Sequence, residues 1–432
     1  MEFFDVFVLL ISFLILLILG VPIAFSIGLS ALITMLVGMD TLPAVTTIAQ
    51  RMATGLDSFG LLAIPFFILA GQMMNSGGIA SRLIRLAKAM VGMMPGGLAF
   101  VNIIASMFFG AISGSAVAAA SAIGGIMTPK MREEGYDDAY SASVNITAAT
   151  TGLIIPPSNI LIVYSLASGG ASIAALFLAG YLPGILLGLL LMIVAAVIAV
   201  RKKYPVDSFV GFSELSRAFW DAIPSLLLLV IVMGGIIAGI FTATEASAIA
   251  VLYTFILSFV IYREIPFSKL KTILVQSSVT TAIVALLIGT SMSISWVMSY
   301  QNIPQMVSEA LLGLSNNVIV VLIIINLLLL VVGTFMDMTP AVLIFTPIFL
   351  PVVTELGIDP IHFGIIMVMN LCVGLCTPPV GSVLFVGCGV AGVPITKVIK
   401  PMIPFFLAMI LALVLTVAIP EISLFIPLFF GY

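Results

Sequence analysis

Two stretches of this chain place adjacent prolines inside apolar runs: Gly152-Leu-Ile-Ile-Pro156-Pro157 and Gly374-Leu-Cys-Thr-Pro378-Pro379. Proline removes a backbone donor, clashes with the preceding turn and drives the residue before it out of the helical region, so each helix must break there. The carbonyls freed at membrane depth then need partners. Two other apolar stretches are interrupted by small and polar residues, at Gly110-Ala-Ile-Ser113-Gly114-Ser115 and at Gly333-Thr-Phe-Met-Asp337-Met-Thr339-Pro340. Setting each interruption against the matching Pro-Pro break gives two clusters of carbonyl and hydroxyl oxygens, a donor set that suits a hard monovalent cation such as sodium. The first cluster would draw on Gly110, Ser113, Gly152, Ile155 and Pro157, and the second on Gly333, Thr334, Met336, Gly374, Thr377 and Val380. Helices restarting at the same breaks present free N–H groups and positive dipole ends, which suit an anion. Ser115, Ser158, Asn159 and Thr339 lie where they would add donors for it, and Asp337 completes the candidate substrate-binding set. An intramembrane carboxylate is costly enough to signal function, either ligating a cation or holding the tip by accepting backbone N–H bonds. The competing reading is a pair of ordinary proline kinks, with Ser and Thr serving only to pack helices.

The elements that position these residues follow from composition. Hydrophobic residues make up 62% of the chain and charged ones 8%, with a mean hydropathy of +1.34. That places it in a lipid bilayer, and apolar runs of this length span as helices rather than as strands of a barrel. The first apolar run lacks a basic flank and leads straight into Val21-Pro22, unlike a cleaved signal peptide. No basic tract suggests nucleic acid. Cys372, Cys376 and Cys388 read as small buried hydrophobes, and a lone His362 gives zinc chemistry no support. Glu245, opening a span, reads as a helix cap.

Lys and Arg cluster around 82–88, 130–132, 201–217, 263–271 and 397–400, and the positive-inside rule puts all five clusters in the cytoplasm, with Arg51 the exception. The stretch 97–127 has a cationic cluster at each end, so it is expected to enter and return as a hairpin; by parity, 318–351 enters from the periplasm. This gives an all-α integral membrane protein with about ten full spans, two re-entrant hairpins and both termini periplasmic.

The two halves repeat. Gly135-Tyr136-Asp137 matches Gly357-Ile358-Asp359, and the two Gly-x3-Pro-Pro motifs match each other, both at one and the same offset along the chain. Because the halves start on opposite sides, the repeat is inverted, the arrangement of secondary transporters with a midplane site. The expected organisation is N-terminal scaffold helices over 1–60 and a first repeat over 61–200, with hairpin 97–127 and broken helix 138–168. Connecting scaffold helices follow over 201–271. A second repeat occupies 272–420, with hairpin 318–351 and broken helix 360–392, and a tail covers 421–432.

These motifs, with Ile64-Pro-Phe-Phe-Ile-Leu-Ala-Gly71, Gly77-Gly-Ile-Ala80, Thr244-Glu245 and Thr377-Pro-Pro379, make the chain resemble the large membrane (M) subunit of tripartite ATP-independent periplasmic (TRAP) transporters, the DctM-like family. The tip Ser113-Gly114-Ser115 and Asp337 match the family's tip residues directly, whereas Ala243-Thr244-Glu245 stands where Pro-Thr-Glu is usual. The resemblance implies an inverted-repeat, elevator-type secondary transporter in the bacterial inner membrane, coupling uptake of a small organic anion, a carboxylate or sulfonate, to sodium ions. It implies two protein partners, a small four-helix membrane subunit expected as a separate chain and a periplasmic substrate-binding protein. It implies no enzymatic activity. A stand-alone elevator carrier for dicarboxylates and an ion channel are the alternative readings.

Overall fold

The computed structural model describes residues 2–206, 211–315, 317–378 and 381–432; Pro379 and Val380, the latter a candidate cation ligand, lie outside the described residues. Among the described residues every regular element is helical and no strand occurs. Eight helices are long and apolar enough to cross a membrane. A ninth is gained if Asp138–Ile154 and Asn159–Ala167, which meet at 51°, form one broken span. Two of the eight, Val318–Phe335 and Met338–Glu355, are the arms of the hairpin expected over 318–351, so the count of about ten full spans read from the sequence must include shorter apolar helices such as Ile23–Gly38, which fall short in length.

The repeat runs element by element. Helices starting at Ile79, Gly97, Ala116, Asp138, Asn159 and Ile173 have counterparts starting at Ile303, Val318, Met338, Pro360, Ser382 and Ile395, in the same order and at a nearly constant offset. The relation continues into the flanking helices, where Ile23–Gly38 corresponds to Ala243–Phe255. Local chemistry repeats with it. Gly135 (φ 80°) and Gly357 (φ 82°) turn the chain through the left-handed region that glycine adopts without penalty. Two residues later Asp137 and Asp359 cap the following helices, accepting hydrogen bonds from the amides of Tyr140 (2.9 Å) and Ile361 (2.7 Å).

The thiol of Cys372 donates to the carbonyl of Thr150 at 3.6 Å, and these two residues are repeat equivalents, separated by the same offset as the Gly-x3-Pro-Pro motifs. A residue that touches its own counterpart marks a local pseudo-two-fold axis. Around it the halves interlock. Each hairpin's outer arm (Gly97–Ser113; Val318–Phe335) packs on the first half of the broken helix in its own repeat. Each return arm (Ala116–Glu133; Met338–Glu355) packs there too and, in addition, on the second half of the other repeat's broken helix, Ser382–Ala391 and Asn159–Ala167 respectively. All three cysteines are buried in this core. Glu245 forms a capping box with Thr242, accepting from its amide at 2.8 Å while the Thr242 hydroxyl accepts from the Glu245 amide at 3.2 Å.

Candidate functional site

Where each outer arm crosses its broken helix, backbone meets backbone. A Cβ built on Gly110 would lie 2.5 Å from the Cα of Gly152, and one built on Gly374 would lie 2.6 Å from the Cα of Gly333. Any side chain there would hold the arm off the break. Just beyond the first crossing the arm ends in left-handed Gly114, whose amide donates to the Gly110 carbonyl at 2.7 Å. The return arm then starts at Ser115, whose hydroxyl accepts from the Ala118 amide at 3.2 Å. In the second hairpin the reversal falls at Met336-Asp337.

The breaks are open backbone. After Thr151–Ile154 the chain is extended at Ile155 (φ −76°, ψ 125°) and resumes as helix at Asn159. The long helix Ile173–Lys202 seals this segment with two glycines, Gly180 against the Ile154 carbonyl and Gly184 against the Ile155 side chain. At the second break the amide of Thr377 closes on the Gly374 carbonyl at 2.8 Å, and Gly381 accommodates the carbonyls of Leu375 and Thr377.

Four helices begin around one cavity of about 190 Å³. They are the two return arms and the second halves of the two broken helices, with Ser115, Ser158, Asp337 and Gly381 at their N-caps. Ser115, Asn159, Asp337, Thr339 and Ser382 line it, and Asp337 is the one ionisable side chain among its described lining residues. The Asp337 carboxylate accepts from the Ser382 hydroxyl at 3.2 Å. Ile64 and Ile68 of Ala63–Ser76, with Thr280 and Val284 of Leu270–Tyr300, close the remaining wall. Converging N-termini turn backbone N–H groups and positive dipole ends toward this space, electrostatics that suit an anion without Lys or Arg.

Of the residues singled out from the sequence as substrate contacts, Ser115, Asn159, Asp337 and Thr339 thus share one cavity. Ser158 does not reach it: its side chain is fully buried and donates to the Leu153 carbonyl at 2.6 Å, stitching the break closed. Among the oxygen-cluster candidates, Gly110 meets Gly152 and Gly333 meets Gly374. Thr334 and Thr377 spend their hydroxyls on the carbonyls of Val331 and Val373, both at 2.7 Å. Met336 packs its side chain among the N-terminal helices. Pro157 faces a small cavity beside Ile112, and Ser113 turns its carbonyl toward Gly71. Among the described residues no group of three or more His, Cys, Asp or Glu is placed to hold a metal ion. The sequence reading passed over Ser382. The repeat would not have named it, because Asn159 corresponds in sequence to Gly381; Ser382 becomes its structural partner only because the helix Ser382–Ala391 opens one residue later.

The profile of the family described as "Tripartite ATP-independent periplasmic transporter, DctM component" matches residues 10–422. This chain belongs to the DctM family. It is 56% identical to a protein of Salmonella typhimurium named YgiK and described as uncharacterized, over 99% of this chain and 98% of that one. It is 41% identical to the isethionate TRAP transporter permease protein DctMQ of Oleidesulfovibrio alaskensis, over 95% of this chain and 64% of that longer one. It is 38% identical to the C4-dicarboxylate TRAP transporter large permease protein DctM of Rhodobacter capsulatus, over 95% of this chain and 96% of that one. In fold it is similar to the YdaH transporter of Alcanivorax borkumensis, with a TM-score of 0.61 and 15% identity over 88% of this chain and 89% of that one. DctM proteins are multi-pass membrane permeases of secondary transport systems, not enzymes. They work with a small membrane subunit, fused in the DctMQ form, and a periplasmic binding protein.

Proposed function

We propose that this chain is the transporting subunit of a bacterial inner-membrane system that takes up a small organic anion with sodium ions. A periplasmic binding protein hands the anion over, and a separate four-helix membrane subunit supports the permease. The observation that carries this reading is the convergence of four helix N-termini, with Asp337 among them, on one cavity. Dipole ends attract a carboxylate or sulfonate, while an ionised Asp337 repels it. A cation held beside Asp337 and the breaks removes that repulsion, so anion and cation favour each other's binding, which is the thermodynamic basis of symport. With no cluster of acidic or soft ligands among the described residues, the cation is one that backbone and hydroxyl oxygens satisfy, and sodium fits. Each net positive charge carried inward adds about 2.3 kcal/mol of driving force per 100 mV of membrane potential.

The cavity wall supports an elevator. Hairpin tips and breaks form one side, while Ala63–Ser76 and Leu270–Tyr300 form the other, so movement of one group past the other would carry the site between faces of the membrane. The relatives named for isethionate and C4-dicarboxylate transport are consistent with a small anionic substrate. The experiment is uptake of labelled sulfonates and dicarboxylates into vesicles holding both membrane subunits, with the binding protein outside. Accumulation is expected only with an inward sodium gradient, and undiminished uptake after sodium is replaced by choline would refute the coupling.

A further inference from the structure

The cavity wall repeats as the tips do. Phe59–Ser76 and Leu270–Tyr300 each lead, through a left-handed residue, into the helix that precedes a hairpin: Gly78 (φ 69°) opens Ile79–Val91 and Asn302 (φ 54°) opens Ile303–Leu314. That match sets the register between the two wall segments. Leu56 corresponds to Thr280, Gly60 to Val284, Ile64 to Ile288 and Ile68 to Met292. One member of each pair, Thr280, Val284, Ile64 and Ile68, lines the cavity, and the other does not. The unused set has a place of its own. Met292 packs against Gly55, where a Cβ would lie 2.5 Å from its Cγ, and Leu56 reaches Gly289, where a Cβ would lie 3.5 Å from its Cδ1. The two segments therefore meet twice, once at the cavity and once at a junction that includes counterparts of the residues walling it.

We infer that Leu56, Gly60, Ile288 and Met292 form the wall of the substrate site when it faces the periplasm, so the anion meets one set of wall side chains on arrival and the repeat-equivalent set on release. This rests on the elevator reading above. When halves are inverted copies, exchanging their conformations turns one end state into the other, so each wall is the image of its counterpart. On Leu270–Tyr300 the step from Thr280 to Ile288, or from Val284 to Met292, is eight residues, a rise of about 12 Å. On the other segment the step runs backwards along the chain, from Ile64 to Leu56 and from Ile68 to Gly60. Both steps point to the periplasm, because Leu270–Tyr300 leaves the basic cluster at 263–271 while Phe59–Ser76 approaches the one at 82–88. The present position is the cytoplasmic one: Thr280 stands about 14 Å of helical rise from Lys271 and about 30 Å from Tyr300. The two walls differ in chemistry. Thr280 and Val284 give way to Leu56 and Gly60, so the periplasm-facing site loses a hydroxyl and gains room. Unbranched Met292 in place of branched Ile68 lets that wall fit solutes of more than one shape.

A ladder of cysteine pairs reads the position of the wall. Val117 lines the cavity on the first return arm, so Val117→Cys is combined in turn with Thr280→Cys, Val284→Cys, Met292→Cys or Trp296→Cys. Vesicles holding both membrane subunits are treated, during uptake, with a bifunctional thiol reagent just long enough to span the cavity. Links are expected at Thr280 and Val284 and, in a separate fraction of molecules, at Met292, with loss of linking at Trp296, one turn higher. Leu56→Cys, on the facing segment, is a second partner for Val117→Cys and is expected to link in the same fraction as Met292→Cys, so the test survives one poorly folded variant. Linking that stops at Val284 and never reaches Met292 or Leu56, in variants that still take up solute when unlinked, would overturn the inference. Linking that continues undiminished to Trp296 would overturn it too, since the site would then travel past the second wall. The ladder is read without reference to the driving ion, so a transporter that proves independent of sodium still passes or fails it.

Discussion

The first repeat meets the central cavity with Ser115 and Asn159, the second with Asp337 and Ser382, at equivalent places on equivalent helices. Backbone geometry is common to both: a hairpin tip laid on a proline-broken helix through a glycine–glycine crossing, with two helices starting at the junction. The side chains differ in charge. One pole offers neutral donors, and the other pairs a carboxylate with a hydroxyl at 3.2 Å. The two halves thus share the shape of the site and differ in its charge, so under the proposed symport cation dependence would concentrate at the second pole.

Neutralising each pole puts that division to its strongest test. Asp337→Asn is expected to cut sodium-driven uptake by about 100-fold, the loss of a charge-assisted contact, while Ser115→Ala costs about tenfold. Equal losses in a vesicle assay would show that charge is not what separates the halves. The crossings come next. A Cβ on Gly110 would sit 2.5 Å from the nearest atom of its partner glycine, but one on Gly333 would sit 3.1 Å away. Gly110→Ala should therefore destabilise the detergent-purified protein by about 2 kcal/mol and Gly333→Ala by about 1 kcal/mol, read by thermal unfolding. A reversed order would mean that the second crossing is the tighter one. Ser382→Ala is expected to lower uptake about fivefold and to raise the sodium concentration for half-maximal rate. Asn159→Ala should leave that sodium dependence alone; a matching shift in both variants would erase the distinction between the poles. The smallest effect is expected from Arg132→Ala. This exposed side chain bridges Asp138 at 2.7 Å and the Ala391 carbonyl at 3.1 Å, tying the first hairpin to the second broken helix. Its removal should lower the unfolding temperature by less than either glycine substitution, because water screens an exposed ion pair.

Much of this arrangement was legible in the sequence because proline and glycine act locally. Pro156 and Pro157 break a helix whatever surrounds them, and the constant offset between the halves told which tip belonged to which break. What stayed hidden depends on packing. Nothing local separates Ser115, which opens onto the cavity, from Ser158, which turns inward to the Leu153 carbonyl. The number of spans was blurred for a related reason, since an apolar run of 16 residues such as Ile23–Gly38 has the composition of a crossing and the length of something shorter. Thr280 and Val284 could not be named as cavity wall, because only the docking of Leu270–Tyr300 beside the tips puts them there. The crossed packing of return arms on the opposite broken helices joins segments from opposite halves of the chain, beyond any local pattern.

That crossed packing sets a timetable for biogenesis. The arm beginning at Ala116 leaves the ribosome well ahead of its eventual neighbour at Ser382, a wait of about 13 to 50 seconds at ordinary elongation rates. Throughout it, Ser115 and the helix it opens lack that neighbour, and an unsatisfied peptide group in hydrocarbon costs several kcal/mol. The nascent first half must therefore be sheltered by the insertion machinery or stay near the water interface until the second half arrives, so the cavity is among the last features of the protein to exist.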